Sequence, residues 1–430
     1  MKFFNPNPNQ RWRKRNNLWV TGHCNYTDAT LEGILRLGKI PENIRGQFAY
    51  VYTTRDWWVA CVDHFSSISL YYTKDMICPN FYELSRRVSN TENENIVQQL
   101  EIMKDRTVGP ETIYKEITRV EAEHYVVNGR ASRYSDILCD HDVEPIDHEE
   151  NYDRLSYIIK KMVPDNPTMA YSSGKDSAFV AMVMKSLGYD PRLIFITSEN
   201  RRNQIDENCV KDYEALGWDI ERFDVTGRRQ YKDDEYKFDG QFWKNGQFSV
   251  KRRAMANYPG LKMSGEIGGG LPRSNVISNY LINKGTIDID AVVNIWLLSL
   301  HTYRKRHYPK PVTMEMWGAL QNTEGFRYIF EYYRNIFKRS PHPYMHTVYS
   351  FPVVDGAEHR IWAEGQDDLN EWYNIFGDYE LQRSWINSPV QDREFNGIQK
   401  YQMYEICRKF CGEHWTDVSW NYPIVGMSIL

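Results

Sequence analysis

The sequence predicts an α/β protein: a doubly wound parallel sheet with a helical C-terminal part, preceded by a smaller α+β segment. Three observations predict it. From residue 152 onward, apolar strands and helices alternate at the spacing of βαβ units. Before residue 136 the chain instead carries short strands rich in Val, Tyr and Trp, separated by turn signals. Between the two lies "DILCDHDVEPIDHEEN" at 136–151, acidic and interrupted by proline, which reads as a linker and sets domains at 1–145 and 146–430.

In the first part, "NNLWVTG" (16–22), "GQFAYVYTT" (46–54), "WWVACVD" (57–63) and "SISLYYT" (67–73) read as strands. "DATLEGILRLG" (28–38) reads as a helix, and "TRVEAEHYVVNG" (118–129) as a further strand pair or edge. In the second part the spacing predicts a helix over 152–163, a buried strand over 168–172 and a helix over 177–188. A strand over 192–198, a helix over 206–217 and a strand over 219–225 follow. "YPGLKMSGEIGGG" (258–270) predicts another strand ending in a Gly-rich turn, and 275–430 reads as mainly helical and aromatic.

Composition narrows the function classes. The chain of 430 residues is long enough for two cores, and a net charge of −4 supplies no global field for nucleic acid. The basic "RWRKR" at 11–15 reads as a solvated arm. No apolar run reaches the roughly 18 residues a membrane span needs, and "AVVNIWLLSL" (291–300) fits a buried helix. The opening "MKFFNPNPNQ" lacks the apolar core of a signal peptide. The 7 cysteines are odd in number and scattered. Cys407 and Cys411 share a helix face, but no second pair at zinc spacing accompanies them, so free thiols in a reducing cytoplasm are expected.

The residues that carry chemistry begin with "YSSGKDS" at 171–177, between a strand and a helix. That is the carboxyl end of a strand, where α/β sheets bind ligands. Backbone N–H groups opening a helix favour anions, and Gly174 lets the backbone approach closely. Lys175 adds a point charge, Ser177 a hydrogen bond and Asp176 a hard oxygen for Mg²⁺. The loop is not a Walker A sequence, because Met169 and Asp176 stand where that pattern needs a glycine and a Ser or Thr. Nor is it G-x-G-x-x-G.

The string resembles the PP-loop of ATP pyrophosphatases, S-G-G-x-D-S, matched at Ser172, Gly174, Asp176 and Ser177, with Ser173 in place of a glycine. "LKMSGEIGGG" at 261–270 resembles the second motif of asparagine synthetases, S-G-E-G-x-D-E, through Ser264, Gly265 and Glu266. "VYSFPVVDGAEHRI" at 348–361 is similar to their later R-x-P-F-L-D segment. Residues 44–73 and 111–129 resemble stretches of class II glutamine amidotransferase domains. The resemblance spans most of the chain. It implies an adenine nucleotide α-hydrolase-like sheet domain preceded by a truncated Ntn-type α+β sandwich.

The chain also departs from that pattern. Position 2 is Lys2 where the family has its nucleophilic cysteine, and Thr21 and His23 replace the glutamine-gripping asparagine and glutamate. Cys24 is internal and has no free amine beside it. The resemblance therefore implies a degenerate glutaminase that hydrolyses no glutamine. In the synthetase part, Gly269 stands where a second magnesium aspartate is usual, and Lys175 where an apolar residue is common.

What the resemblance implies is an AMP-forming carbon–nitrogen ligase with ATP and Mg²⁺ as cofactors. Ser172, Ser173, Gly174, Lys175, Asp176, Ser177, Ile196, Ser264 and Gly265 would hold nucleotide and pyrophosphate, and Asp176 the metal. Glu266 would position or deprotonate the amine, and Arg393 or Lys400 would be the late cation that stabilises the collapsing adduct. The partners would be a small-molecule or peptide carboxylate and an amine donor, either ammonia or a substrate amine as in β-lactam synthetases. Neither membrane nor nucleic acid is expected, and a homodimer is compatible. Two other readings stay open at this level: a non-catalytic nucleotide-binding pseudoenzyme, favoured by Gly269, and a sulfur-transfer or reductase activity, for which the nearest cysteine, Cys209, stands alone.

Overall fold

The structure is a computed structural model that describes residues 1–6, 12–103, 107–136, 144–172, 174–197, 201–224, 236–238, 241–243, 257–258, 260–264, 288–291, 293–294, 297–298, 314–339, 370–389, 394–395, 398–399 and 401–421. The chain divides into two compact units. The first is Met1–Asp142 with Glu235–Lys244 and Asn275–Gly365; the second is Val143–Asp234 with Asn245–Ser274 and Gln366–Leu430. The first break falls between Asp142 and Val143. The segment Asn275–Gly365 groups with the N-terminal unit rather than with the sheet that follows the break.

The first unit is layered helix–sheet–sheet–helix. Its strands are β1 (Lys2–Phe3), β2 (Arg13–Arg15), β3 (Leu18–Cys24), β4 (Gly46–Thr53), β5 (Trp58–Val62), β6 (Tyr71–Tyr72), β7 (Met76–Cys78), β8 (Thr118–Arg119), β9 (His124–Val127) and β10 (Arg130–Arg133). They form a six-stranded sheet, β10-β9-β5-β4-β3-β2, and a four-stranded sheet, β1-β7-β6-β8. Period-two alternation along β4 explains the layering. Phe48, Tyr50 and Tyr52 face Leu31 and Leu35 of α1 (Asp28–Arg36), while Ala49 and Val51 face Ile77, Leu70 and Val120 on the other side. The four-stranded sheet in turn covers α2 (Phe81–Ser85) and α3 (Glu94–Met103) through Tyr71, Phe81, Leu84 and Ile96. Helix Glu324–Arg339 of the same unit packs so closely on α3 that a Cβ at Gly325 would meet Gln98 Cβ at 2.6 Å. Gly325 N–H also donates to Gln98 Oε1 at 2.8 Å.

Three sequence expectations are corrected here. Residues 67–73 are strand only at Tyr71–Tyr72, because Asp63 ties residues 65–67 into a turn and Ser66 takes a positive φ of 49°. Residues 118–129 supply strands to two different sheets, β8 to one and β9 to the other. The "RWRKR" patch is no free arm. Arg13–Arg15 is an edge strand, with Arg13 paired to Asp28 at 2.8 Å and Lys14 lying over the Trp19 ring, and such charges protect an edge from further pairing.

The second unit is a five-stranded, all-parallel sheet. Asp147 caps α4 (His148–Met162), after which β11 (Thr168–Tyr171), α5 (Lys175–Ser186), β12 (Arg192–Thr197), α6 (Arg201–Ala215) and β13 (Ile220–Asp224) alternate. The next strands of this sheet are β14 (Gly260–Ser264) and β15 (Asn370–Asn374). The order is β13-β12-β11-β14-β15. The chain thus builds outward from β11 to β13, then returns to the other side of β11, which makes the gap between β11 and β14 the topological switch point. The expectation that 275–430 is mainly helical missed β15, a short strand with polar ends that parallel pairing to β14 decides. Helices α7 (Tyr379–Ile386), α8 (Tyr401–Phe410) and α9 (Val418–Asn421) complete the unit. α5 is buried from Ala178 to Met184, as expected of a helix apolar all round. Among the described residues, no helix is long and apolar enough to cross a membrane.

Candidate functional site

The loop after β11 sits on a rigid base. Tyr171, the last residue of β11, is buried and its ring packs against Tyr213 (5.7 Å between centroids) and Trp218 (6.1 Å). Burial pushes the Tyr171 phenol well above its ordinary range, so it stays neutral beneath the loop. β11 is held on both sides by parallel partners, with Met169 opposite Leu193 of β12 and Met263 of β14.

From this base the chain turns into α5 at a glycine. Gly174 is the N-cap residue, extended at φ −70° and ψ 159°, and having no side chain it places no capping hydrogen bond on the first turn. Its φ is open to any residue. A Cβ there would approach Ser172 Oγ at 3.3 Å, so the glycine keeps the cap clear rather than relieving the backbone. Ser172 and Gly174 are exposed. Ser177 is buried and ties the loop to the helix: its hydroxyl donates to Gly174 O at 3.0 Å, accepts from Ser172 N–H at 3.3 Å and lies 3.1 Å from Ser172 Oγ. Lys175 begins the helix and is only 8% exposed, and Asp176 is half-buried in the first turn. A helix start with a glycine at its cap, two hydroxyls, an ammonium and a carboxylate is chemistry for a phosphate and its cation.

Along the carboxyl edge of the sheet the structure brings other expected residues into line. Ile196 is half-buried near the end of β12. Ser264 ends β14, adjacent to β11 across the switch point, so the two serine-bearing strand ends flank one gap. Ser173, Gly265, Glu266, Gly269, Arg393, Lys400 and the 348–361 segment lie outside the described residues.

Sequence reasoning missed two features of this edge. Thr197 Oγ1 donates to Asp224 Oδ1 at 3.2 Å, linking the ends of β12 and β13. Asn374 ends β15 opposite Ser264 and caps the following turn, its Oδ1 accepting from Phe376 N–H at 3.0 Å. Its only signal in the sequence is an Asn before "IFGDYEL", which a capping search over 374–381 would have found.

In the first unit, Thr21 and His23 are buried in β3, opposite Ala49 and Gln47 of β4. The Cys24 thiol, half-buried, donates to Tyr26 O at 3.3 Å. Lys2 N–H donates to Asp75 O at 2.9 Å within β1. Among the described residues no three His, Cys, Asp or Glu side chains gather as a metal cluster.

No protein-family model matches the chain, and no curated protein matches it. Among solved structures, one similar chain is the U34-tRNA thiolase NcsA from Methanococcus maripaludis with its [4Fe-4S] cluster, at 14% identity. The match covers 49% of this chain and 78% of that one, with a TM-score of 0.24. At that score too little backbone superposes for the likeness to carry an argument.

Proposed function

We propose that the second unit binds ATP as PP-loop pyrophosphatases do and uses it to adenylate a carboxylate, which an amine then captures as an amide. The observation that carries this reading is the start of α5 at a glycine cap, directly after β11 and beside the switch point. Gly174 and the first N–H groups of α5 would cradle the pyrophosphate, with the Ser172 and Ser177 hydroxyls at its rim. The Asp176 carboxylate and the phosphates suit Mg²⁺, which commonly keeps several waters and one or two carboxylates; when bound, it would neutralise phosphate charge. A carboxylate oxygen attacks the α-phosphorus and pyrophosphate leaves. The amine nitrogen then attacks the acyl carbon, the bond to AMP breaks, and the nitrogen gives up a proton. Glu266 is assigned to that proton and to holding the amine, and Arg393 or Lys400 to the charge that develops as AMP departs.

The helix–sheet–sheet–helix layering of the first unit supports its reading as an Ntn-type remnant. Thr21 and His23 in place of the glutamine-gripping asparagine and glutamate support the absence of glutaminase activity, so the amine is ammonia or belongs to the substrate. ATP–pyrophosphate exchange, screened over carboxylates, tests the proposal. Exchange that depends on one class of acid supports it. Binding of Mg·ATP without exchange for any acid reduces the protein to a nucleotide-binding pseudoenzyme, and no binding removes the reading altogether.

A further inference from the structure

We propose that Asn374 donates a hydrogen bond to the acid being adenylated, so that the carboxyl ends of β14 and β15 form the acyl-substrate subsite. This rests on the adenylation reading above. Asn374 is 7% exposed and is the last residue of β15, in register with Ser264. Its amide oxygen is engaged by Phe376 N–H at 3.0 Å, which decides how the amide is turned. Its Nδ2, also buried, has no hydrogen-bond partner among the described residues. A buried amide donor left unpaired is costly, so a native protein that retains one meets it with a ligand or an ordered water or holds it as strain. Capping alone does not require asparagine here. Ser, Thr or Asp would accept the same N–H, and asparagine alone among them adds two amide protons.

The order of the strands says what those protons meet. Neighbouring strands lie about 4.8 Å apart, so Asn374 stands about 10 Å to one side of β11, across β14. That is too far for the pyrophosphate held at the start of α5. The nucleotide is assigned to the other side, over β12 with Ile196 and the β11–β14 gap. The edge formed by β14 and β15 is therefore left to the molecule that meets the α-phosphate. A donor at its far end selects an acid carrying a second acceptor (a carbonyl, an amide or another carboxylate) a few bonds from the carboxylate that reacts.

The test uses the full chain with Mg·ATP and two series of acids in pyrophosphate exchange. Succinate, aspartate, glutamate and N-acetylglutamate carry the second acceptor; butyrate and valerate do not. The wild type is expected to prefer the first series at least about tenfold in kcat/KM, the worth of one good hydrogen bond in discrimination. Asn374→Ser keeps the cap. It is expected to raise the KM of the first series about tenfold, leave the KM for ATP within about twofold and hold the unfolding midpoint within about 2 °C. Asn374→Asp keeps the cap but exchanges the donor for an anionic acceptor, so it should lose more than Asn374→Ser with the first series, every member of which carries a second carboxylate. Unchanged acid KM values in both variants would make Asn374 a cap only and overturn the proposal. A change in the KM for ATP instead would move Asn374 to the nucleotide. A wild type that binds ATP but shows no preference, or uses none of these acids, overturns the subsite and leaves nucleotide binding standing. A wild type that does not bind ATP fells the adenylation reading and the subsite with it.

Discussion

Two polar turns follow buried strands in this protein, one in each unit, and they are built in opposite ways. After β5, Asp63 is fully buried and its carboxyl is saturated. It accepts from Phe48 N–H (3.2 Å), Phe65 N–H (2.8 Å), Ser67 N–H (3.1 Å) and the Ser67 hydroxyl (3.2 Å). After β11, the turn into α5 has a glycine at its cap, and Ser172 and Gly174 face solvent. A turn closed around a buried carboxylate is architecture, and a turn that presents a glycine and a serine at its surface offers a binding surface. Asp378 in the second unit belongs to the first kind. It is buried, caps α7 through Glu380 N–H and Leu381 N–H, and forms a two-point ion pair with Arg154.

The contrast predicts where substitutions act. Asp378→Ala strands the Arg154 guanidinium and uncaps α7; it should lower unfolding free energy by about 3–5 kcal/mol in urea titration. A loss under about 1 kcal/mol would take Asp378 out of the saturated class. Asp176→Asn, in the open turn, should do the reverse. The expectation is a loss of about 100-fold in pyrophosphate exchange with little change in unfolding midpoint.

The third prediction concerns pH. Burial raises the Asp63 carboxyl from its ordinary value to about 7, against the lowering effect of its N–H donors. The folded state therefore keeps a proton that the unfolded chain releases above about pH 4. This group's contribution to stability falls as pH rises from about 4 to about 7 and is level above that. Asp63→Asn should remove that slope. The difference in unfolding free energy between wild type and variant should change by about 2 kcal/mol between pH 5 and pH 8, in the direction that favours the variant at pH 8. A difference that is flat with pH would show Asp63 to be ionised in the fold throughout.

The smallest effect is expected at Ser177→Ala, which removes the hydroxyl joining Ser172 N–H to Gly174 O. About 1 kcal/mol of stability should go, together with a several-fold weaker grip on nucleotide, read by calorimetric titration of Mg·ATP. Lost stability with unchanged binding would place Ser177 with the saturated turns.

Local pattern made much of this legible. The βαβ alternation from 152 to 225, the loop at 171–177 and the strand before Ser264 are all short-range signals, carried by period, by an N-terminal glycine and by apolar runs. The strand at 46–54 was likewise legible, and the structure then buries it on both faces. Other features were settled by partners distant in sequence. "NEWYN" has little strand character of its own and becomes β15 only because β14 offers it a parallel edge. Arg13–Arg15 becomes an edge strand because β3, Asp28 and Trp19 pair with it. The division of 118–129 between two sheets, and the place of Asn374 beside Ser264, depend on strand order, which no local propensity encodes. The sequence by itself determined which segments could be strands, helices and anion-facing turns, since those follow from neighbours within a few residues. Tertiary structure alone decided which turn closes around a buried carboxylate and which keeps its glycine and serine at the surface, because both depend on partners that only the folded chain brings within 3 Å or so.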